Sequence, residues 1–169
     1  MEHPLLPMPK RSVETDEVYA VLGRALAYAT EFENNCRELA HLFDIENTKE
    51  EFSYEVFKLV KSGTLHSKVK LLVDEHGMPD WVEEKIHNAR KARNYIAHEA
   101  ATDHKRMMLS EQLMKSLETT LMQMVGEIAE GNQIVLDVTR MLKEGQRGHG
   151  SDIVAYSFAV ASWISRENF

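Results

Sequence analysis

A single cysteine among 169 residues cannot form an internal disulfide, so Cys36 excludes a stapled scaffold and fits a reducing compartment. Breakers are scarce too. There are four prolines and eight glycines, and Pro4, Pro7 and Pro9 all fall in the first ten residues. Almost all of the remaining chain is therefore open to helix. Long apolar runs are missing: the richest stretch, Ile153 to Ile164, is too short to span a bilayer, and Met1 to Lys10 lacks the apolar core of a signal peptide. The expectation is a cytoplasmic protein with no membrane partner. Familiar catalytic signatures are also absent. No CxxC, HExxH, GxGxxG, GxSxG or glycine loop ending in Lys-Ser/Thr occurs, so zinc-protease, serine-hydrolase and nucleotide-hydrolase chemistries have no motif to rest on. Positive charge is in deficit, with Lys+Arg 20 against Asp+Glu 27 and a net charge of -7. Taken over the whole chain, that balance opposes a polyanionic partner.

What is present is 43% hydrophobic and 28% charged residues, the composition of one globular domain. A chain of this length buries roughly two-thirds of its unfolded surface without staples. Residues 1–11 are expected as a flexible tail and 12–169 as a single all-α domain. From Val18 the apolar positions alternate by three and four (Leu22, Ala25, Ala29, Phe32, Cys36, Leu39, Phe43), marking a long amphipathic helix that starts near Ser12 or Thr15. Shorter helices are expected from about Asn47 to Gly63 and from Thr64 to His76. Asp80 followed by Glu83 gives a capping-box-like start to a helix reaching about Ala101. A long segment follows from about Leu109 to Gly145 through Leu113, Leu117, Met124, Ile128, Val135, Val138 and Leu142, with Gly126 and Gly131 as candidate bends. The last segment, Ile153 to Ile164, is apolar nearly all round. With no other strand to pair with, it is assigned as helix, buried or packed on a partner. The expected architecture is an up-and-down four-helix bundle with additional helices, favouring a homodimer.

Chemistry concentrates in the fourth of these helices. Its core stripe is expected at Val82, Ile86, Ala89, position 93, Ile96 and Ala100, and position 93 is arginine. A guanidinium on a core-facing stripe needs a carboxylate, a wet cavity or an anionic ligand, since burying an unpaired ion costs several kcal/mol. Glu33, between Phe32 and Cys36, is the best-placed carboxylate. A polar stripe of His87, Lys91, Asn94 and His98 runs alongside. An arginine that neutralises phosphoryl oxygens and a histidine that moves a proton can cleave a phosphodiester without metal. On an ideal α-helix, however, five residues place Arg93 and His98 roughly 140° apart. The arginine must wrap, the helix must bend near Ala97, or two copies must combine.

The run Arg93-Asn94-Tyr95-Ile96-Ala97-His98 resembles the signature of the HEPN superfamily, an Arg and a polar residue followed by His after four to six intervening residues. No other Arg–His pair in the chain has that spacing. The resemblance covers six residues of motif, with a compatible helical order over most of the chain. It implies a HEPN-like four-helix core that dimerises so that two motifs meet in one cleft. It further implies a metal-independent endoribonuclease of toxin–antitoxin, phage-defence or RNA-processing systems, needing no cofactor. Arg93 and His98 would be catalytic, with Asn94 orienting them. An antitoxin or regulatory protein is an implied partner. One departure is Ala100, which stands where some members carry a modifiable Tyr.

The charge balance looks different near this motif. Lys85 to Arg106 holds six cations (Lys85, Arg90, Lys91, Arg93, Lys105, Arg106) against Glu99 and Asp103. RNA contact is therefore expected at Arg90, Lys91, Lys105 and Arg106. A metal set of His98, Glu99, Asp103 and His104 is disfavoured, because Glu99 points away from His98. Arg37 and His41 are expected as surface residues, as is His149. Tyr95 is expected to pack on the bundle, Trp81 and Trp163 to serve as core or interface anchors, and the methionines to pack adaptably. The competing reading is a non-catalytic helical dimerisation or RNA-binding module in which Arg93 is a buried structural cation.

Overall fold

The computed structural model describes residues 11–47, 80–100, 102, 108, 110–144 and 153–165. The expected helices between Asn47 and His76, the tail up to residue 10, the loop carrying Arg147 and His149, and Asp103, His104, Lys105 and Arg106 lie outside the described residues. Among the described residues every regular element is helical. The helices are α1 (Val13–Asn47), α2 (Asp80–Asn94), α3 (Glu111–Glu144) and α4 (Ile153–Ser165). The Ile153 segment is thus helix, and none of these helices is long and apolar enough to cross a membrane.

Local chemistry sets the helix starts. Ser12 Oγ accepts from the Thr15 backbone N–H at 3.2 Å while Thr15 Oγ1 accepts from the Ser12 N–H at 2.8 Å. This reciprocal cap satisfies two donors that the first turn leaves open. At α3, Ser110 Oγ accepts from the Leu113 N–H at 3.3 Å. At the other end of α4, Arg24 Nε on α1 donates to the Ile164 carbonyl oxygen at 2.6 Å, occupying one of the acceptors a helix C-terminus exposes.

α3 is the central helix, packed against α1, α2 and α4. Its middle is buried on most sides through Leu121, Val125, Ile128, Ala129, Asn132 and Val135. The α1 stripe from Val18 to Phe32 and Leu39 faces the same core, with Val21 and Tyr28 added and Cys36 at the margin. α3 runs as one helix through both Gly126 and Gly131. Gly131 faces α2 at close range, opposite Ala89. On α2 and the turn that continues it, the buried stripe is Val82, Ile86, Ala89, Ala92, Ile96 and Ala100. Ala92, not Arg93, occupies the core position, because the spacing from Ala89 is three residues there and not four. The indole rings also depart from a core role, since Trp81 is 48% and Trp163 57% exposed. Tyr95 and Met114, Met122 and Met124 pack against the core edge as expected.

One feature of the core is polar. Asn132 is fully buried and ties three helices together. Its Nδ2 donates to Tyr156 OH on α4 at 3.0 Å and approaches Tyr28 OH on α1 at 3.4 Å, while its Oδ1 accepts from Asn35 Nδ2 at 2.9 Å. Tyr28 OH donates in turn to Tyr156 OH at 3.2 Å. A satisfied network of this kind specifies one packing, because any slip of a helix strands several polar atoms without water.

Candidate functional site

α1 and α2 meet along a cleft of about 230 Å³. Phe32, Cys36 and Ile86 form its apolar floor; Glu33, His87, Arg90, Arg93 and Asn94 form its rim. The order follows from helical spacing. Phe32 and Cys36 lie one turn apart on α1 with Glu33 beside them, and Ile86, Arg90 and Arg93 step along one side of α2.

Arg93 is fixed by two acceptors. Its Nη2 pairs with the Glu33 carboxylate, and its Nη1 donates to Asn94 Oδ1 at 2.9 Å. The side chains of Arg93 and Glu33 are only 24% and 29% exposed, so solvent screens the pair incompletely. Two of the five guanidinium N–H groups are used in this way, which leaves donors for an anion. Glu33 also accepts from Arg37 one turn further along α1, so two cations share one carboxylate. The expected pairing of Arg93 with a first-helix carboxylate is present, although at the edge of the core and not within it. At the floor, burial pushes the Cys36 thiol up to about 12, so it stays neutral at ordinary pH.

Beyond Asn94 the helix changes form. Residues Tyr95–Ala100 make a π-helical turn, closed by i→i+5 bonds. The Thr102 hydroxyl reaches back to the carbonyl oxygens of His98 and Glu99, at 3.0 Å for the latter. This local bonding occupies acceptors at the end of the turn. The five-step path from Arg93 to His98 overshoots a full α-helical turn by about 140°; a turn that takes more residues reduces the overshoot. His98 is nevertheless exposed and outside the Arg93 cleft. Among the described residues Arg93 lines this cleft from α2, while His98, on the π turn that continues it, does not.

The remaining site residues divide. Arg90 and Lys91 are exposed and have no carboxylate partner among the described residues, whereas Lys85 is committed to Glu130 on α3, whose carboxylate raises the lysine further. The basic strip is therefore narrower than a count of cations suggests. His87 joins Arg93 and Asn94 on the rim, while Lys91, its neighbour on the expected polar stripe, does not. Among the described residues no three His, Cys, Asp or Glu side chains come together as a metal site. No protein family, characterised protein or solved structure matches this chain at a significant level.

Proposed function

We propose that the chain is a homodimeric, metal-independent endoribonuclease of the HEPN type, with Arg93 of one protomer and His98 of the other making each site. The observation that carries this reading is the division of the motif. Arg93 is anchored by Glu33 and Asn94 in a cleft, while His98 stands exposed on a π turn outside it. A two-fold-related copy would bring the missing half to each cleft. In the reaction the ribose O2′ attacks the neighbouring phosphorus and the P–O5′ bond breaks, leaving a 2′,3′-cyclic phosphate and a 5′-OH. His98 removes the O2′ proton or returns one to O5′, and Arg93 stabilises the charge on the phosphoryl oxygens. Such an enzyme belongs with toxin–antitoxin, defence or RNA-processing systems and would be held in check by an antitoxin-like protein. The test is digestion of single-stranded RNA in EDTA by the wild type, Arg93→Ala and His98→Ala. Cleavage by the wild type alone supports the proposal; equal cleavage by all three, or dependence on metal, overturns it.

A second reading draws on the Glu33–Arg93 pair itself. In a non-catalytic dimerisation or RNA-binding module that pair would simply join α1 to α2. Arg93→Ala would then lower the melting temperature with no RNA cut by any variant.

A further inference from the structure

The cleft holds more than the motif needs, since only Arg93 and Asn94 of its lining belong to the motif and His98 lies outside. We propose that it is a recognition subsite that seats one unstacked base of single-stranded RNA over Phe32, Cys36 and Ile86, with the adjoining phosphate held at the rim by Arg90 beside Arg93. The proposal rests on the ribonuclease reading and names what that site recognises.

Size comes first. At about 230 Å³ the cleft is below the roughly 300–1,000 Å³ of most small-molecule sites, so it suits a single planar ring and not a whole nucleotide. The sugar and phosphate would then lie at the mouth. The floor is apolar, and the neutral Cys36 thiol keeps it so. Charge at the mouth comes next. Arg90 and Arg93 oppose a single carboxylate, Glu33, which Arg37 already shares, and Arg90 has no carboxylate partner among the described residues. The rim thus carries an uncompensated guanidinium whose planar fork matches a phosphate. Asn94 and His87 also line the cleft and carry groups that can hydrogen-bond the polar edge of a base. An apolar slot for a ring beside a spare cation for a phosphate is the pairing by which proteins take single-stranded RNA, whose bases can leave the stack; a duplex offers no such base.

Chemical-shift titration of the full chain with the four 5′-ribonucleoside monophosphates, their nucleosides and inorganic phosphate tests this. At least one monophosphate is expected to bind ten times or more tightly than its nucleoside or phosphate, shifting resonances of α1 and α2 at the cleft. Arg90→Gln, an exposed change that leaves the core alone, should weaken that binding at least fivefold. Cys36→Phe, which fills the slot, should reduce the monophosphate to the affinity of phosphate. Equal binding of phosphate and monophosphates, shifts elsewhere, or indifference to Arg90→Gln overturns the subsite. The two readings separate cleanly. Monophosphate binding by a chain that cuts no RNA keeps the subsite and removes the nuclease; RNA cleavage with no monophosphate in the cleft does the reverse.

Discussion

At Gly131 the backbone of α3 lies tight against α2, and replacing it with alanine should destabilise the protein even though alanine is the better helix former. A Cβ at this position would stand under 3.0 Å from the Ala89 Cβ, 3.2 Å from the Lys85 carbonyl oxygen and 3.6 Å from the Ile86 Cα. Carbon atoms rest at about 3.5–4.0 Å, so α2 and α3 would have to part by more than about 0.5 Å. No side chain can swing away to absorb this, because the obstructing atoms are backbone or a Cβ fixed to it. Gly→Ala in a helix contributes about 1 kcal/mol of stability, while overpacking a tight contact costs about 1–3 kcal/mol, and here the obstruction is rigid. The expected net loss is about 1–2 kcal/mol. Gly126 lies on the same helix with nothing within 4 Å of its would-be Cβ, so Gly126→Ala should gain about 0.5–1 kcal/mol. Urea unfolding of the two variants beside the wild type reads both signs. If Gly131→Ala were as stable as Gly126→Ala, the reasoning about α2–α3 contact would be refuted. Because α2 carries Arg93, the same displacement should also lower any RNA cleavage measured under folding conditions.

The polar core and the cleft floor give three further outcomes. Asn132→Ala removes a donor and acceptor shared by Asn35, Tyr28 and Tyr156, and should cost about 2–4 kcal/mol, against about 1 kcal/mol for Tyr156→Phe; a shared denaturation midpoint would show that the network contributes little. Cys36 is raised from 9.0 to about 12, so at pH 8 its thiolate fraction is about a thousandfold below that of an unshifted thiol, and alkylation should be slower in the folded chain than in urea by that order. The linkage has a sign. The unfolded thiol ionises first, so the Cys36 contribution is complete below pH 9 and is lost as pH rises towards 12. Cys36→Ala should flatten that alkaline decline, as followed by thermal melts between pH 8 and 11.

Much of this arrangement is legible in the chain because three-four spacing survives folding. The α1 stripe reads directly from Val18 to Leu39, and Glu33 is identifiable as the partner of Arg93 by its place beside Phe32 and Cys36. The register of α2 is not, since a step of three or of four from Ala89 is equally helical and a small Ala92 advertises burial weakly. The π turn at Tyr95–Ala100 has no signature in its residue types; Thr102, bonding back to the turn, is its nearest trace. Asn132 is hidden for another reason. Between Gly131 and Gln133 it looks like surface, and its partners are distant in sequence, Asn35 by 97 residues. The Gly131 contact is equally non-local, which is why a glycine that admits a neighbouring helix resembles one that bends its own.

The central claim, a site divided between two protomers, is tested most directly by mixing inactive chains. Arg93→Ala and His98→Ala proteins, each expected on this account to cut no RNA alone, are unfolded together, refolded at equal concentration and assayed in EDTA. In the proposed dimer a mixed pair would join the intact Arg93 of one chain to the intact His98 of the other. With half the dimers mixed and one of two sites intact in each, about a quarter of wild-type cleavage should return. Wild-type activity with no recovery in the mixture would contradict the divided site and place both residues in the same protomer.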